Sequence, residues 1–413
     1  MASAGLDHAT PVAGVSIDHA RDAAAACPNC GQTGLETFYR VEKIPVHSCL
    51  LVADREAALA FPTRDLHLGF CPACGFVTNT LFDPDVHNYS ALYEETQGFS
   101  PTFNRFARNL AQRLVDRYDL HEKRVLEIGC GKGEFLITLC ELGPNRGIGI
   151  DPSYRPERTR SPAAERIEFI RDFYGQKYAH LTADFVCCRH TLEHIAPTGA
   201  FLRDVRRTLG DRTDTIVFFE LPETLRILRE GAFWDIYYEH CSYFTPGSLA
   251  RLFRASGFDL LELALDYDDQ YILLVARPAE GPTGPALPLE DDLDRTRRLI
   301  ADFPQTCAAQ LRRWRDCVRD NAAKGRRVVL WGSGSKAVAF LTTLGLRDEI
   351  EFVVDINPYK HGKYMPVTGQ TIVAPAFLKD YRPACVIAMN PIYRAEIGRD
   401  LERMGVEADL VAV

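Results

Sequence analysis

Apolar runs of four or five residues alternate with stretches whose apolar positions recur every three or four residues. Val125–Ile128, Gly147–Ile150, Ile167–Ile170, Asp184–Cys188 and Thr215–Phe219 are of the first kind. They are too short for helices, so each predicts a strand, and Val125–Ile128 one buried in a parallel sheet. Tyr271–Arg277 predicts a further strand, and Arg327–Trp331 and Glu351–Asp355 repeat the pattern toward the end. Phe103, Phe106, Leu110, Leu114 and Tyr118 are of the second kind and make the packed face of a helix, with Ser100 as cap and Pro101 in the first turn. Thr245 and Pro246 start another helix, which ends at Gly257. A helical pattern over 290–321 carries Pro304, which is expected to interrupt it. Strands alternating with helices predict a parallel, doubly wound α/β sheet, with ligands at the carboxyl ends of its strands.

Chemistry collects at those strand ends. Gly129, Gly131 and Gly133 follow the first run, and the next helix carries Phe135, Leu136 and Leu139. Glycine allows positive φ and lets a ligand approach the backbone, so strand, loop and helix N-terminus form a nucleotide-binding corner. With Glu127 the spacing is E-x-G-x-G-x-G, which resembles motif I of class I S-adenosylmethionine methyltransferases and differs from the dinucleotide pattern G-x-G-x-x-G. Asp151 ends the second run about 20 residues after Gly129, where an acid accepts ribose hydroxyls. Asp172 lies past the third run, suited to an adenine amino group or equally to a helix N-cap. His190 is expected on the cofactor side, and His194 and Glu223 on the same face.

Composition narrows the class. The chain has 413 residues and a net charge of −8, long enough for two or three domains. No Lys/Arg-rich block appears, which disfavours a nucleic-acid partner. No apolar run approaches the ~20 residues that span a bilayer, so no membrane contact and a cytoplasmic location are expected. Residues 1–22 read as a disordered leader, without a basic region before an apolar core. Thirteen cysteines in such a chain point to metal ligation and buried thiols rather than disulfides. Cys27-Pro-Asn-Cys30-Gly31 and Cys71-Pro-Ala-Cys74-Gly75 are paired knuckles with four thiolates, the donor set of closed structural zinc. Redox pairs or inert thiols are the other readings. Cys49 reads as a packed thiol and His47 as a surface imidazole.

Gly231–Phe244 holds six aromatic residues and lies where the chain crosses the face at which a ligand would sit. Tyr237, Glu239 and His240 supply a phenol, a carboxylate and an imidazole, which suits proton abstraction with His240 as base, Glu239 fixing its tautomer and Tyr237 holding an oxyanion. The alternative is a rim of packed aromatics around a satisfied histidine. After a Pro/Gly-rich linker a second glycine corner appears: Gly332, Gly334, Ser335 and Lys336, with Asp355 ending the next strand and Lys360 in the loop beyond. It reads as a half-Rossmann module that holds a nucleotide phosphate, or as a scaffold that keeps the corner without a ligand.

Two cysteine knuckles, a motif I domain with Y-x-E-H, and a glycine-lysine half-Rossmann module in this order resemble the three-domain sugar C-methyltransferases, over nearly the whole chain from Cys27. The resemblance implies a zinc-binding domain over 23–88, a class I methyltransferase domain over 89–278, a linker over 279–292 and a Rossmann-like domain over 293–413. It further implies S-adenosylmethionine and structural zinc as cofactors, and a nucleotide-linked 4-keto deoxysugar as substrate. A monomer or a homodimer is expected. Tyr237, Glu239 and His240 match the family's Y-x-E-H, and His194 in Leu-Glu-His-Ile resembles its second pocket histidine, which with Tyr237 polarises the substrate oxygen. Tyr93 fits the N-terminal tyrosine that precedes S-P-x-F, here Ser100–Phe103, but Glu95 stands where a second tyrosine is usual. O-methylation of a sugar or other small molecule remains open, as do a nicotinamide oxidoreductase using the second corner and a nucleic-acid methyltransferase guided by its zinc module.

Overall fold

In the computed structural model the described residues are 15–16, 20–86, 92–279 and 284–413. The first module is an antiparallel sheet built on one long strand. β1 (Val15–Ser16) and β2 (Ala20–Ala26) both pair with β3 (Thr33–Pro45), a short helix α1 (Arg55–Leu59) follows, and β4 (Thr63–Phe70) and β5 (Val77–Asn79) complete the hairpin run. The leader expected over 1–22 lies mostly outside the described residues. Where described, at 15–16 and 20–22, it is strand rather than disordered chain, because β3 offers it a free edge.

The second module opens with α2 (Pro101–Tyr118). Ser100 caps it by accepting from the Phe103 amide, and the predicted stripe faces inward. Then come β6 (Arg124–Ile128), α3 (Glu134–Leu142), β7 (Arg146–Ile150), β8 (Ile167–Ile170), β9 (Phe185–Arg189), α4 (Thr198–Leu209), β10 (Ile216–Pro222), α5 (Thr224–Glu230), β11 (Ser242–Tyr243), α6 (Pro246–Ala255), β12 (Phe258–Asp266) and β13 (Tyr271–Pro278). Seven strands form the order β12-β13-β10-β9-β6-β7-β8. Those from β6 to β10 run parallel, and the β12–β13 hairpin closes the edge antiparallel. β6 lies where the order reverses, so motif I opens at the topological switch point. β11 leaves this sheet and pairs with β5, Ser242 opposite Thr78. The segment that precedes β11, with Tyr237, Glu239 and His240, is thereby fastened to the first module.

The linker region is not loose where it is described. Glu290 receives the Arg254 guanidinium, and Asp292 receives Arg251 and the Gly247 amide. α7 (Leu293–Ala323) then runs unbroken through Pro304, contrary to the expected interruption. Ile300, Phe303, Cys307, Leu311, Trp314 and Val318 bury one continuous stripe across the proline, and that packing outweighs one missing backbone bond. The third module is β14 (Val328–Trp331), α8 (Ser335–Leu344), β15 (Phe352–Val354), β16 (Thr371–Val373), α9 (Leu378–Tyr381), β17 (Cys385–Ala388), α10 (Arg394–Met404) and β18 (Asp409–Ala412). Its sheet is fully parallel in the order β16-β15-β14-β17-β18, so β14 too ends at a switch point. No helix among the described residues is long and apolar enough to cross a membrane.

Candidate active site

Both switch points open into one cavity of about 840 Å³ lined by all three modules. Gly129 and Asp151 line it on the methyltransferase side, Tyr93 on the N-terminal side, and Gly334, Ser335 and Lys336 on the C-terminal side. His194, Tyr237 and His240 lie between.

The first corner has the shape its glycines allow. Gly129, Gly131 and Gly133 have φ of +70°, +53° and +81°. A Cβ on Gly129 would come within 2.0 Å of Thr191 Oγ1, and one on Gly133 within 2.6 Å of the Phe169 ring. The Gly131 amide donates to Asp151 Oδ2 at 2.8 Å, and Ser153 donates to Oδ1 through its amide and hydroxyl. Glu127 Oε2 accepts from the Leu136 amide at the start of α3, and burial pushes its carboxyl up to about 8. Asp172 stands on the cavity wall, accepting from Lys177, Tyr178 and the Phe173 amide, and those hydrogen bonds, Lys177's first, bring its carboxyl to about 2. The glycine cradle and Asp151 together fit a nucleoside with a charged tail, as S-adenosylmethionine has.

The base cluster differs from expectation in its carboxylates. Glu239 does not face His240. It is fully buried, with Oε2 3.1 Å from His47 Nδ1 and Oε1 accepting from the Ser48 amide at 3.0 Å. His47 is therefore no surface imidazole but is buried against the Y-x-E-H segment. Two groups distant in sequence pair here because β11 joins β5, which sequence spacing cannot reveal. The carboxylate near His240 is Glu193: one of its oxygens, a His194 ring nitrogen and a His240 ring nitrogen lie within 4.8 Å of one another. Glu193 is buried and its Oε2 has no hydrogen-bond partner. That donor set could also hold a divalent ion.

His194 Nδ1 lies 3.0 Å from the Glu239 carbonyl, which can only accept, so the proton sits on Nδ1 and Nε2 keeps its lone pair in the neutral ring. The expected role of His194 as a polarising donor thus requires its imidazolium. The His240 ring is 4.2 Å from Tyr237 and 4.7 Å from His194, and burial holds its pKa well below the usual imidazole range. It is neutral at pH 7. Burial raises the Tyr237 phenol, which stays a donor. Tyr93 is buried with its ring 6.0 Å from His47. Cys49 reaches the cavity and lies 3.4 Å from Ser335 Oγ. His190 sits with φ +47° and bonds Glu220, which also takes Arg189 through two hydrogen bonds. Glu223, expected on this face, instead caps α5 by accepting from the Leu225 and Arg226 amides.

At the second corner the expected phosphate ligands already have partners. Lys336 pairs with Asp235, which also holds Arg226. Asp355 accepts from Ser333 and Asn357 and faces Lys360 at 3.7 Å. Gly332, with φ +104°, donates its amide to the Val354 carbonyl, and with Gly334 it lines the cavity. In the first module, Cys27 and Cys74 lie 3.7 Å apart at sulfur, as do Cys30 and Cys71, and none of the four lines the cavity. Tetrahedral zinc with Zn–S of ~2.3 Å places its sulfurs ~3.8 Å apart, so the four thiols fit that ion. All thirteen cysteines are free of disulfides.

A methyltransferase-domain model matches residues 102–263, and a model described as C-methyltransferase C-terminal domain matches 290–409. The C-methyltransferase NovU of Streptomyces niveus is 27% identical over 368 residues, covering 84% of this chain and 85% of that protein. The Burkholderia thailandensis 1,6-didemethyltoxoflavin-N1-methyltransferase, solved with S-adenosylhomocysteine, is 20% identical, with a TM-score of 0.35 over 44% of this chain and 83% of that one. The Synechocystis magnesium protoporphyrin IX methyltransferase, also solved with S-adenosylhomocysteine, gives 17% and 0.33 over 43% and 84%.

Proposed function

We propose, from the premise that this chain is an S-adenosylmethionine-dependent methyltransferase of the three-domain C-methyltransferase family, that it methylates the carbon beside the ketone of a nucleotide-linked deoxysugar. The observation that carries the reading is the cavity joining both glycine corners, with the buried, neutral imidazole of His240 between them. A sugar nucleotide is long enough to need both ends, and the methyl donor alone would not require the second. The methyl-bearing sulfonium supplies an electrophile that needs no activation, so the protein's task is to create the nucleophile.

His240 is the base. It takes the α-proton onto a ring nitrogen while the C–H electrons move into the ketone to give an enolate, and the proton later leaves to solvent. Burial serves this step by keeping the imidazole unprotonated and its lone pair free. The Tyr237 phenol donates to the enolate oxygen. Glu193 faces the imidazolium that forms, while Glu239, expected from sequence to fix the His240 tautomer, holds His47 and, through its carbonyl, the His194 ring. Excluding water around this group preserves the carbanion for attack on the methyl. Asp151 and the glycine loop hold the donor, Ser335 and Lys336 meet the nucleotide once Lys336 exchanges Asp235 for phosphate, and the four cysteines hold a structural zinc.

Calorimetry with S-adenosylmethionine, NADH and a thymidine sugar nucleotide tests the assignment. Binding of the first and third is expected. NADH binding with no affinity for S-adenosylmethionine would overturn it, and an O-methylated product identified by mass spectrometry would replace the carbon acceptor with a hydroxyl.

A further inference from the structure

The segment that joins the first module to α2 passes directly over the first glycine corner. Lys132, inside the glycine loop, donates to the Tyr93 carbonyl at 2.9 Å, to Glu95 Oε2 at 3.1 Å and to Ser153. Thr96 adds a hydrogen bond to Glu134 at the start of α3. Glu95 is thereby held with one oxygen on Lys132 and the other toward Gly131, 2.8 Å from where a Cβ on that residue would lie. The Lys132 side chain is only 1% exposed, whereas the Glu95 side chain is 30% exposed and the residue lines the cavity.

Each neighbouring acid already has a task. Glu127 caps α3 and is buried, Glu134 accepts from Thr96, and Asp151 is the ribose acid of the corner. A donor whose ribose is at Asp151 carries its amino-acid end toward the glycine loop, and that end has both a carboxylate and an ammonium. The amide-rich start of α3 suits the carboxylate. An ammonium needs an anion, and Glu95 is the acid beside Gly131 on the cavity wall.

Resting on the cofactor reading above, we infer that Glu95 is the residue that accepts the α-ammonium group of the bound methyl donor. Burial raises its carboxyl to about 7 against the pull of Lys132, so one lysine does not fully balance it, and a second cation does. Glycine at 131 is what gives the carboxylate its room.

The test compares S-adenosylhomocysteine with 5′-methylthioadenosine, which keeps the nucleoside and lacks the amino-acid end. Calorimetry on the full zinc-loaded chain is expected to show Glu95→Gln weakening S-adenosylhomocysteine about tenfold or more, the scale of a lost charge-assisted hydrogen bond, and 5′-methylthioadenosine less than twofold. Glu95→Asp, which keeps the charge, is expected to recover part of the loss. Equal weakening of both ligands would make Glu95 a support of the corner and overturn the inference, as would no change in either. Failure of the unaltered chain to bind S-adenosylhomocysteine would instead defeat the cofactor reading.

Discussion

At the scale of single residues, the reaction depends on keeping one imidazole neutral and within reach. His240 achieves this chiefly by burial, helped by the positive charge of neighbouring groups such as Lys336. His240→Ala is expected to retain S-adenosylmethionine binding while turnover falls about 100-fold or more. Unchanged turnover would remove His240 from the mechanism. The other charged cluster is Arg189, His190 and Glu220, of which Arg189 and His190 line the cavity, as expected of His190, and its ionisation couples stability to pH. Burial opposes both ionised partners, yet Arg189 and His190 hold Glu220 near 2, and Glu220 with Glu193 holds His190 near 9. The carboxylate's contribution is complete above its ordinary value of 4.5 and is lost as pH falls toward 2. The imidazolium's is complete below 6.5 and is lost as pH rises through 9. His190→Gln is therefore expected to flatten the alkaline decline of Tm between pH 6.5 and 9 while the acid limb remains, and an unaltered alkaline limb would show that His190 is not charged.

At the scale of elements, the turn after β6 is the least tolerant. Gly129→Ala would need positive φ and would drive a Cβ into the Thr191 side chain, and S-adenosylhomocysteine binding is expected to fall below detection by calorimetry. Ordinary affinity in that variant would mean the corner does not hold the donor. The same turn explains what sequence conveys. A parallel strand must be apolar over a fixed short length, and its turn must carry glycine where φ is positive, so both corners are legible in Val125–Gly133 and Arg327–Gly334. β12 escapes because a register shift between Leu260 and Glu262 breaks its period of two. Glu193 escapes for another reason: it adjoins the recognised His194 in sequence, but only the fold turns its carboxylate toward His240 rather than solvent. Glu239 and His47 meet across 192 residues, a pairing no local pattern carries.

At the scale of the whole molecule, the modules are built into one another around the cavity. Glu94 on the N-terminal segment takes Arg158 of the second module and Asn357 of the third. Glu396 of α10 accepts from Ser100 and the Thr102 amide at the start of α2. The first sheet carries β11, and hence the Y-x-E-H segment, on its edge. Removing zinc with a strong chelator is therefore expected to lower Tm and abolish turnover together, with about one zinc per chain recovered by mass spectrometry. Full activity in metal-free protein would separate the cysteine cluster from the site.

The most direct test is exchange in heavy water. A nucleotide-linked keto-deoxysugar that the enzyme methylates, held with S-adenosylhomocysteine so that no methyl can move, should take up deuterium at the carbon beside the ketone, and His240→Ala should abolish that uptake. Absence of exchange with the unaltered enzyme, or equal exchange in both proteins, would contradict proton abstraction by His240.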